Sequence, residues 1–243
     1  MCGIFGGVGK YSMRDIQMLA VLNEVRGGDS FGVYDGAMSK TLQPPRTKIG
    51  TWESLNIRRH PFLIGHTRSA SVGSVTINNA HPFHIGHVVG AHNGGISNFH
   101  ELCKQFEAKD LNVDSQIIFW GLNDRGIDFL PYLKGTYSIA WWDDREPEFF
   151  WLACSAQQLA TVETERFVLY SSDIKHLEGM GFPAVEVPTS TIYKYNTTTL
   201  AREKMNIPWR RPQENLPVLV KDETEFSRRM RASGVTPIRE DMC

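Results

Sequence analysis

The sequence predicts an α+β protein in which mainly antiparallel β-sheets are covered by helices. Strand-like apolar runs surround the helical segments and do not alternate strictly with them, as they would in a doubly wound parallel sheet. Aromatic residues make up 11% of the chain, with six Trp, which favours a well-packed, β-rich interior. The 243 residues are enough for one large domain, with two small domains as the weaker alternative.

The N-terminal half predicts strands that run directly into polar, glycine-rich loops. The apolar run at 3–8 predicts a buried strand, and apolar residues at helical spacing over 14–25, followed by Gly27 and Gly28, predict a helix. The same criteria predict a short strand at 31–34, a connector at 43–48 and strands at 62–67 and 87–92.

The second half predicts helices followed by a β-rich region. Asn98 precedes Glu101 by three residues at the head of an amphipathic segment, which is the spacing of a capping box. Two further helices are predicted over 115–123 and 128–133. Turn residues separate the predicted strands that follow, at 136–143, 148–154, 165–171, 184–187 and 191–196.

After residue 200 the chain holds few apolar clusters, several prolines and basic doublets. We therefore expect one domain over residues 2–200 and a C-terminal extension over 201–243 that is partly ordered or docks a partner. Acidic residues are interspersed among the basic doublets, which favours a protein partner over RNA.

Composition and charge argue against several functional classes. A formal net charge of −1 gives no indication of nucleic acid or of a membrane surface as a partner. No stretch approaches the roughly 20 apolar residues of a membrane span, and no basic segment followed by an apolar core predicts a secretory signal. The four scattered cysteines include no C-x-x-C pair, which argues against a disulfide framework. We expect a cytoplasmic protein, in a compartment where a reactive thiol stays reduced.

Cys2 is the first candidate catalytic residue. If Met1 is removed, Cys2 carries a thiol and a free α-amine, which titrates near about 7.7–8.0. The amine can take the thiol proton and later pass it to a leaving group, so that one residue is both nucleophile and base. The alternative is that Cys2 only packs within a strand.

Six segments in this order resemble the glutaminase domain of class II glutamine amidotransferases. Those proteins are N-terminal nucleophile hydrolases, as found in glucosamine-6-phosphate synthase, amidophosphoribosyltransferase, glutamate synthase and asparagine synthetase. The resemblance covers roughly residues 2–195 and implies a four-layer α-β-β-α sandwich. It also implies hydrolysis of L-glutamine through a Cys2 thioester to glutamate and ammonia. The segments are CGIFG at 2–6, RGGDSFG at 26–32, GHTRSAS at 65–71, NNAHP at 78–82, AHNGGISN at 91–98 and VDSQII at 113–118.

The resemblance assigns a role to each of four matching residues. Asn93 and Gly94 would form the oxyanion hole from a side-chain amide and a backbone N–H. Arg68 would hold the α-carboxylate of glutamine with two parallel hydrogen bonds, and Asp114 would hold its α-ammonium. The alternatives are a plain Asn-Gly turn, a surface arginine and, for Asp114, a helix N-cap.

The remaining matches concern the walls of the pocket. Arg26, Gly27 and Asp29 match a family loop that shapes the pocket around the nucleophile, and we count Arg26 and Gly27 among the substrate-binding residues. Ser69, also counted there, replaces a family Trp, so we expect a different pocket floor or a different contact with an acceptor domain. We expect Asn79 and His81 to support the pocket without taking part in the chemistry.

The histidines of HPFHIGH at 81–87 invite a metal site, but no carboxylate or thiol stands at a helpful spacing. We expect no metal and no cofactor.

The predicted function is a glutamine-dependent amidotransferase subunit that delivers ammonia to a separate acceptor-amidating enzyme. The first alternative is a stand-alone amidohydrolase acting on another γ-glutamyl or acyl amide, and the second is a non-catalytic binding module.

Overall fold

Two antiparallel β-sheets face each other in the computed structural model, which describes residues 2–47, 60–70 and 73–207. Each pair of neighbouring strands formed by these residues is antiparallel. The strands in chain order are β1 (Gly3–Gly9), β2 (Ser30–Tyr34), β3 (Met38–Thr41), β4 (Phe62–Arg68), β5 (Phe83–Ile85), β6 (Val88–Ile96), β7 (Gly135–Asp143), β8 (Phe149–Ser155), β9 (Ala160–Glu163), β10 (Phe167–Ser171), β11 (Val185–Glu186), β12 (Thr191–Asn196) and β13 (Arg202–Asn206).

The first sheet has the order β11-β9-β10-β1-β4-β2-β3, and the second has the order β13-β12-β8-β7-β6-β5. β1 and β4 are thus central in the first sheet, and β6 and β7 lie side by side in the second. The described helices are α1 (Met13–Glu24), α2 (Phe99–Gln105), α3 (Asp114–Arg125) and α4 (Ile174–Gly179), with 3₁₀ turns at Pro45–Thr47 and Gly126–Tyr132.

Three apolar clusters separate four layers, so the predicted α-β-β-α sandwich is confirmed. On β1, Ile4 faces the second sheet, whereas Phe5 faces α1, because side chains of a strand alternate between its two faces. α1 and α4 cover the outer face of the first sheet through residues such as Leu19 and Leu177. α2 and α3 cover the outer face of the second sheet through residues such as Leu102 and Phe119.

Most of the predicted elements are present within a few residues of the expected bounds. The elements that were not predicted are short, between three and six residues, and too brief to show a clear period in the sequence. They are Met38–Thr41, Phe83–Ile85, Ala160–Glu163, Ile174–Gly179 and Arg202–Asn206. The segment predicted as a helix at 128–133 is part of the 3₁₀ turn Gly126–Tyr132.

The capping box predicted at Asn98 is wrong. Asn98 does precede α2, but its side chain makes no capping hydrogen bond. Its Nδ2 donates to Tyr132 O at 2.9 Å, and its Oδ1 accepts from Lys134 N at 2.9 Å. The Asn98 amide therefore fixes the end of the 3₁₀ turn against α2, because a buried amide takes the partners that tertiary packing supplies.

Residues 201–207, at the start of the predicted extension, include β13, an edge strand that pairs with β12. The rest of that extension, from residue 208, lies outside the described residues.

Among the helices that the structure does describe, none combines the length and the apolar character that a membrane crossing requires.

Candidate active site

The ends of three central strands and the start of one helix meet around a single pocket. It encloses about 320 Å³ of empty space, counted with the solvent at its mouth. Cys2 precedes β1, Arg68 and Ser69 lie at the end of β4, Gly94 lies in β6, and Asp114 begins α3. The pocket is lined by Cys2, Arg68, Ser69, His81, His92, Gly94, Val113, Asp114 and Ser115. The structure thus brings together five of the predicted site residues, including a thiol, a guanidinium and a carboxylate.

The Cys2 side chain lies partly buried at this pocket. Its Sγ donates to Ser69 O at 3.4 Å. Burial raises the pKa of the Cys2 thiol, and the nearby Arg68 guanidinium only partly opposes that rise. The resting thiol is therefore protonated at neutral pH and needs a base before it can act as a nucleophile. Met1 lies outside the described residues.

The loop between α1 and β2 acts on the main chain around the thiol. Arg26 Nε donates to Cys2 O at 3.0 Å, and Arg26 Nη1 lies 3.5 Å from Asp173 Oδ2. A Cβ on Gly27 would lie 2.3 Å from the carbonyl carbon of Arg68, so only glycine lets the loop approach this closely. Neither Arg26 nor Gly27 lines the pocket, and this geometry favours support of the site over substrate contact.

Asp29 ties the same loop to the end of β4. Its main-chain N–H donates to Arg68 O at 2.9 Å, and its Oδ2 accepts from Ala70 N at 2.8 Å. The loop therefore fixes the main chain on both sides of Ser69. The Ser69 carbonyl oxygen is the acceptor of the hydrogen bond from the Cys2 thiol.

Arg68 is buried at the pocket wall, with 4% of its surface exposed. Its Nη1 donates to Ser74 O at 3.0 Å, and Asn79 Nδ2 donates to the same carbonyl oxygen at 3.0 Å. Asn79 thus helps to hold the loop that orients the guanidinium, as its predicted supporting role requires. A buried cation beside a cavity is stable only when it is well hydrogen-bonded, so this position favours an anionic ligand.

Asp114 is the first residue of α3, and the N-cap alternative for it is wrong because Val113 is the N-cap. Its Oδ2 accepts from Ile96 N at 2.9 Å, which links α3 to β6. The N-terminal turn of α3 is closed instead by Gln116, whose Oε1 accepts from Asn112 N at 2.6 Å and from Val113 N at 3.1 Å. Asp114 therefore does not cap α3, and it is one of the residues that line the pocket.

Of the two predicted oxyanion donors, only Gly94 lines the pocket. Gly94 has φ +138°, and a Cβ there would lie 2.0 Å from Thr136 O, so a larger residue would break the β6–β7 pairing. Asn93 is buried behind it, and its Nδ2 donates to Ser172 Oγ at 3.1 Å. The structure therefore commits the Asn93 amide to another side chain.

Ser172 was missed by the sequence analysis. The only signal was a pair of polar residues directly after the predicted strand at 165–171, and such pairs commonly end strands. Three buried histidines were also not assigned together, although His81 was expected to support the pocket; His81 and His92 line the pocket, and His66 contacts both of them. His66 Nε2 lies 3.0 Å from His92 O, the rings of His66 and His81 stack at 4.0 Å, and His92 Nδ1 lies 2.8 Å from Ser115 Oγ.

Burial keeps all three imidazoles neutral. It lowers the pKa of His66 to about 3, lowers the pKa of His81 well below its usual value, and lowers the pKa of His92 to about 4 despite the nearby Asp114 carboxylate. The three rings connect β4, the segment before β5, and β6. In the described part of the chain, no three His, Cys, Asp or Glu side chains are grouped as a metal site would require.

The histidines predict a loss of stability in acid. The unfolded chain protonates these imidazoles below about pH 6.5, whereas in the folded protein His66 and His92 become protonated only near pH 3–4, so acid favours unfolding. We expect urea denaturation to show a free energy of unfolding that falls between pH 6.5 and 4, by about 1.4 kcal/mol per pH unit for each extra proton. The slope should be smaller in His66→Gln than in the parental protein. An equal slope in His66→Gln and the parental protein would contradict this account.

The sequence is similar to the sequences of known proteins. Residues 66–179 match the family model of a glutamine amidotransferase domain. The chain is 37% identical over 161 residues to glutamine–fructose-6-phosphate aminotransferase (isomerizing) of Gluconobacter oxydans, covering 58% of this chain and 26% of that protein. It is 29% identical over 196 residues to the protein of the same name from Streptococcus pneumoniae, covering 71% and 32%. The alignments thus span about a quarter to a third of these relatives' length.

Solved structures show the same fold at low sequence identity. The glutamine phosphoribosylpyrophosphate amidotransferase of B. subtilis, complexed with ADP and GMP, superposes with a TM-score of 0.70 at 19% identity, covering 85% of this chain and 49% of that chain. A glutamine aminotransferase class-II domain protein from Silicibacter pomeroyi superposes with a TM-score of 0.53 at 14% identity, covering 85% and 100%. Residues 66–179 therefore resemble a glutamine amidotransferase domain, and the described residues share the fold of these solved amidotransferase structures.

Proposed function

We propose that this chain hydrolyses L-glutamine through a Cys2 thioester, releasing glutamate and ammonia. The observation that carries the proposal is the composition of the pocket, where Cys2, the buried Arg68 and Asp114 line one cavity. Glutamine presents a carboxamide at one end and an α-carboxylate and α-ammonium at the other. The guanidinium pairs with the α-carboxylate and the Asp114 carboxylate with the α-ammonium, which leaves the carboxamide for the thiol.

The proposed reaction uses Cys2 as both nucleophile and base once Met1 is removed. The α-amine takes the thiol proton, and the sulfur attacks the carboxamide carbon to give a tetrahedral oxyanion that accepts hydrogen bonds from Gly94 N–H and the Asn93 amide. The ammonium of Cys2 then protonates the leaving nitrogen, ammonia departs, and a γ-glutamyl thioester remains. Water, deprotonated by the same amine, attacks the thioester, and the thiolate leaves and recovers its proton as glutamate is released.

We further propose that the ammonia is delivered to an acceptor bound by a separate acceptor-amidating synthase or transferase. The relatives are named as aminotransferases, and the alignments cover only about a quarter to a third of their length, so most of each relative lies beyond this domain. Ser69, which lines the pocket where the family has Trp, is the position at which we expect the contact with that partner to differ. A pull-down with the full chain, followed by an assay of ammonia transfer in the reconstituted complex, tests this step.

An amidohydrolase that acts on a simple acyl amide would not need both charges of the pocket, whereas a γ-glutamyl amide carries the same α-carboxylate and α-ammonium as glutamine. Comparing kcat/KM for glutamine with kcat/KM for γ-glutamyl peptides and for simple acyl amides separates the two functions. We expect glutamine to be preferred and a γ-glutamyl adduct on Cys2 to be detected by mass spectrometry after acid quenching. A preference for a peptide or acyl amide would overturn the glutaminase assignment.

Asp114→Asn tests recognition of the α-ammonium. The amide oxygen of asparagine can still accept from Ile96 N, so the link between α3 and β6 survives while the charge is lost. We expect KM for glutamine to rise about 10- to 30-fold with a smaller change in kcat, since one charge-assisted hydrogen bond contributes about 1.5–2 kcal/mol. The KM of glutaramate, which lacks the α-amine, should not rise.

The matched control for Asp114→Asn is Glu101→Gln, which removes an exposed carboxylate on α2 that pairs with Lys134. It should leave both substrates unaffected. If Asp114→Asn raised KM equally for glutamine and glutaramate, the carboxylate would be holding the pocket wall and not the substrate.

A further inference from the structure

Ser172, directly after β10, joins the two sheets at the candidate active site. Its side chain is fully buried, and its Oγ accepts from Ile4 N at 2.8 Å and from Asn93 Nδ2 at 3.1 Å. Its own main-chain N–H donates to Ile4 O at 2.8 Å. Ile4 follows Cys2 by two residues, and Asn93 precedes Gly94. One serine therefore connects the strand of the nucleophile to the strand of the oxyanion site.

The surroundings of this connection are apolar. Ile4 belongs to the cluster that fills the space between the sheets, together with residues of β6 such as Val89 and Ala91. In such a place an unpaired amide or hydroxyl costs about 1–3 kcal/mol, so the pairing of Ser172 with Asn93 is firmly held. A link of this kind fixes the Asn93 side chain relative to β1.

The hydrogen-bonding capacity of the hydroxyl allows two orientations of the Asn93 amide. A serine hydroxyl has one hydrogen and two lone pairs, and Ile4 N–H occupies one lone pair. The second lone pair accepts from Asn93 Nδ2, as in this structure. After a 180° turn of the amide, the hydroxyl hydrogen can donate to Asn93 Oδ1 instead, which frees the NH₂ group for a different acceptor.

We propose that Ser172 is a positioning residue for the oxyanion site: its hydroxyl donates to Asn93 Oδ1 in the reacting complex and so directs the Asn93 NH₂ group toward the developing oxyanion. This inference rests on the proposed glutaminase function and deepens it. Ser172 touches neither the substrate nor the reacting atoms, and it acts through Asn93. Its effect therefore falls on stabilisation of the transition state and not on binding of the charged end of glutamine.

Ser172→Ala tests the proposal through kinetics and a double-mutant cycle. We expect kcat for glutamine to fall about 10- to 100-fold with KM unchanged, because Arg68 and Asp114 still bind the substrate. In an Asn93→Ala background the same substitution should lower kcat by less than about twofold, since there is no amide left to position. A full further loss in that background, or a rise in KM without a fall in kcat, would overturn the proposal.

Ser138→Ala is the matched control. Ser138 lies opposite Asn93 on β7, is also fully buried, and its Oγ has no hydrogen-bond partner among the residues that the structure describes. Removal of that hydroxyl should leave kcat unchanged. Ser172→Cys, which keeps a weak donor in place of the hydroxyl, covers the case in which Ser172→Ala does not fold. Ser172→Cys should lower kcat by less than Ser172→Ala does, and it should have no further effect in the Asn93→Ala background. If Ser172→Cys alone kept the parental kcat, the hydroxyl would not be needed to position Asn93.

The outcome also separates this inference from the proposed function. If the parental protein does not turn over glutamine, the proposed function is wrong, and the positioning role of Ser172, which rests on it, is wrong as well. If the parental protein is active and Ser172→Ala retains its kcat, only the positioning role of Ser172 is overturned.

Discussion

Cys2→Ala is expected to abolish glutamine turnover, lowering kcat at least 1,000-fold, as loss of a catalytic nucleophile does. The free energy of unfolding should stay within about 1 kcal/mol of the parental value, because Cys2 precedes β1 and the hydrogen bond from its Sγ to Ser69 O is weak. Release of glutamate and ammonia measures the first quantity, and urea denaturation measures the second.

Cys103→Ala is the control for this substitution. Cys103 is a free, half-buried cysteine on α2 that packs against the core of the second sheet and does not line the pocket. It should keep full activity. Parental turnover by Cys2→Ala would rule out the thioester, and a fall in Cys103→Ala as large as that in Cys2→Ala would show that general loss of packing explains both.

The same mechanism predicts that a residue retained ahead of Cys2 inactivates the protein. Burial raises the pKa of the thiol, so the thiol needs a base, and the free α-amine of Cys2 is the base that the proposal names. An amide at that nitrogen cannot accept the proton. Intact-mass spectrometry of the active fraction checks this, and fully active protein that still carries Met1 would contradict it.

The long elements of the fold could be predicted from the sequence, because the pattern of apolar residues extends along each of them. β1, α1 and β7 are of this kind, and their predicted bounds differ from the observed ones by no more than one residue. The short strands such as β5 and β9 hold too few residues to show a period, and their pairing is decided by the sheets around them. The four-layer arrangement required the ordered motifs, because apolar patterning alone does not say how many sheets pack together.

The residues of the candidate site also differ in whether the sequence could predict them. Cys2 and Arg68 could be found because each carries a reactive or charged group in a recognisable motif, and Gly94 could be found because it follows Asn93 in another such motif. Ser172 and His66 could not, since a serine after a strand and a histidine within one have many ordinary roles. Their importance comes from partners distant in the chain, Asn93 for Ser172 and His92 for His66, and sequence spacing does not report such pairs.

Arg68→Lys is expected to lower kcat/KM for glutamine at least 100-fold, mainly through KM. A guanidinium can offer two parallel N–H donors to the α-carboxylate while Nη1 donates to Ser74 O, whereas an ammonium is a point charge that cannot reproduce this fork. Each charge-assisted hydrogen bond contributes about 1.5–3 kcal/mol, so loss of the two-point contact exceeds the effect of Asp114→Asn. Steady-state kinetics with glutamine provide the measurement, and Arg14→Lys, on the exposed side of α1, is the matched control.

A second substrate decides whether Arg68 binds glutamine or only supports the loop that contains Ser74. 4-Aminobutanamide keeps the carboxamide and the amine of glutamine but lacks the α-carboxylate. If Arg68 binds that carboxylate, kcat/KM for 4-aminobutanamide is already low in the parental protein and falls little further in Arg68→Lys. A loss of equal size for both substrates would mean that the guanidinium holds the loop and that the anionic end of glutamine is recognised elsewhere. Because Arg68 and Asp114 bind opposite charges of one ligand, Arg68→Lys should spare 4-aminobutanamide just as Asp114→Asn spares glutaramate, and a site for simple acyl amides predicts neither result.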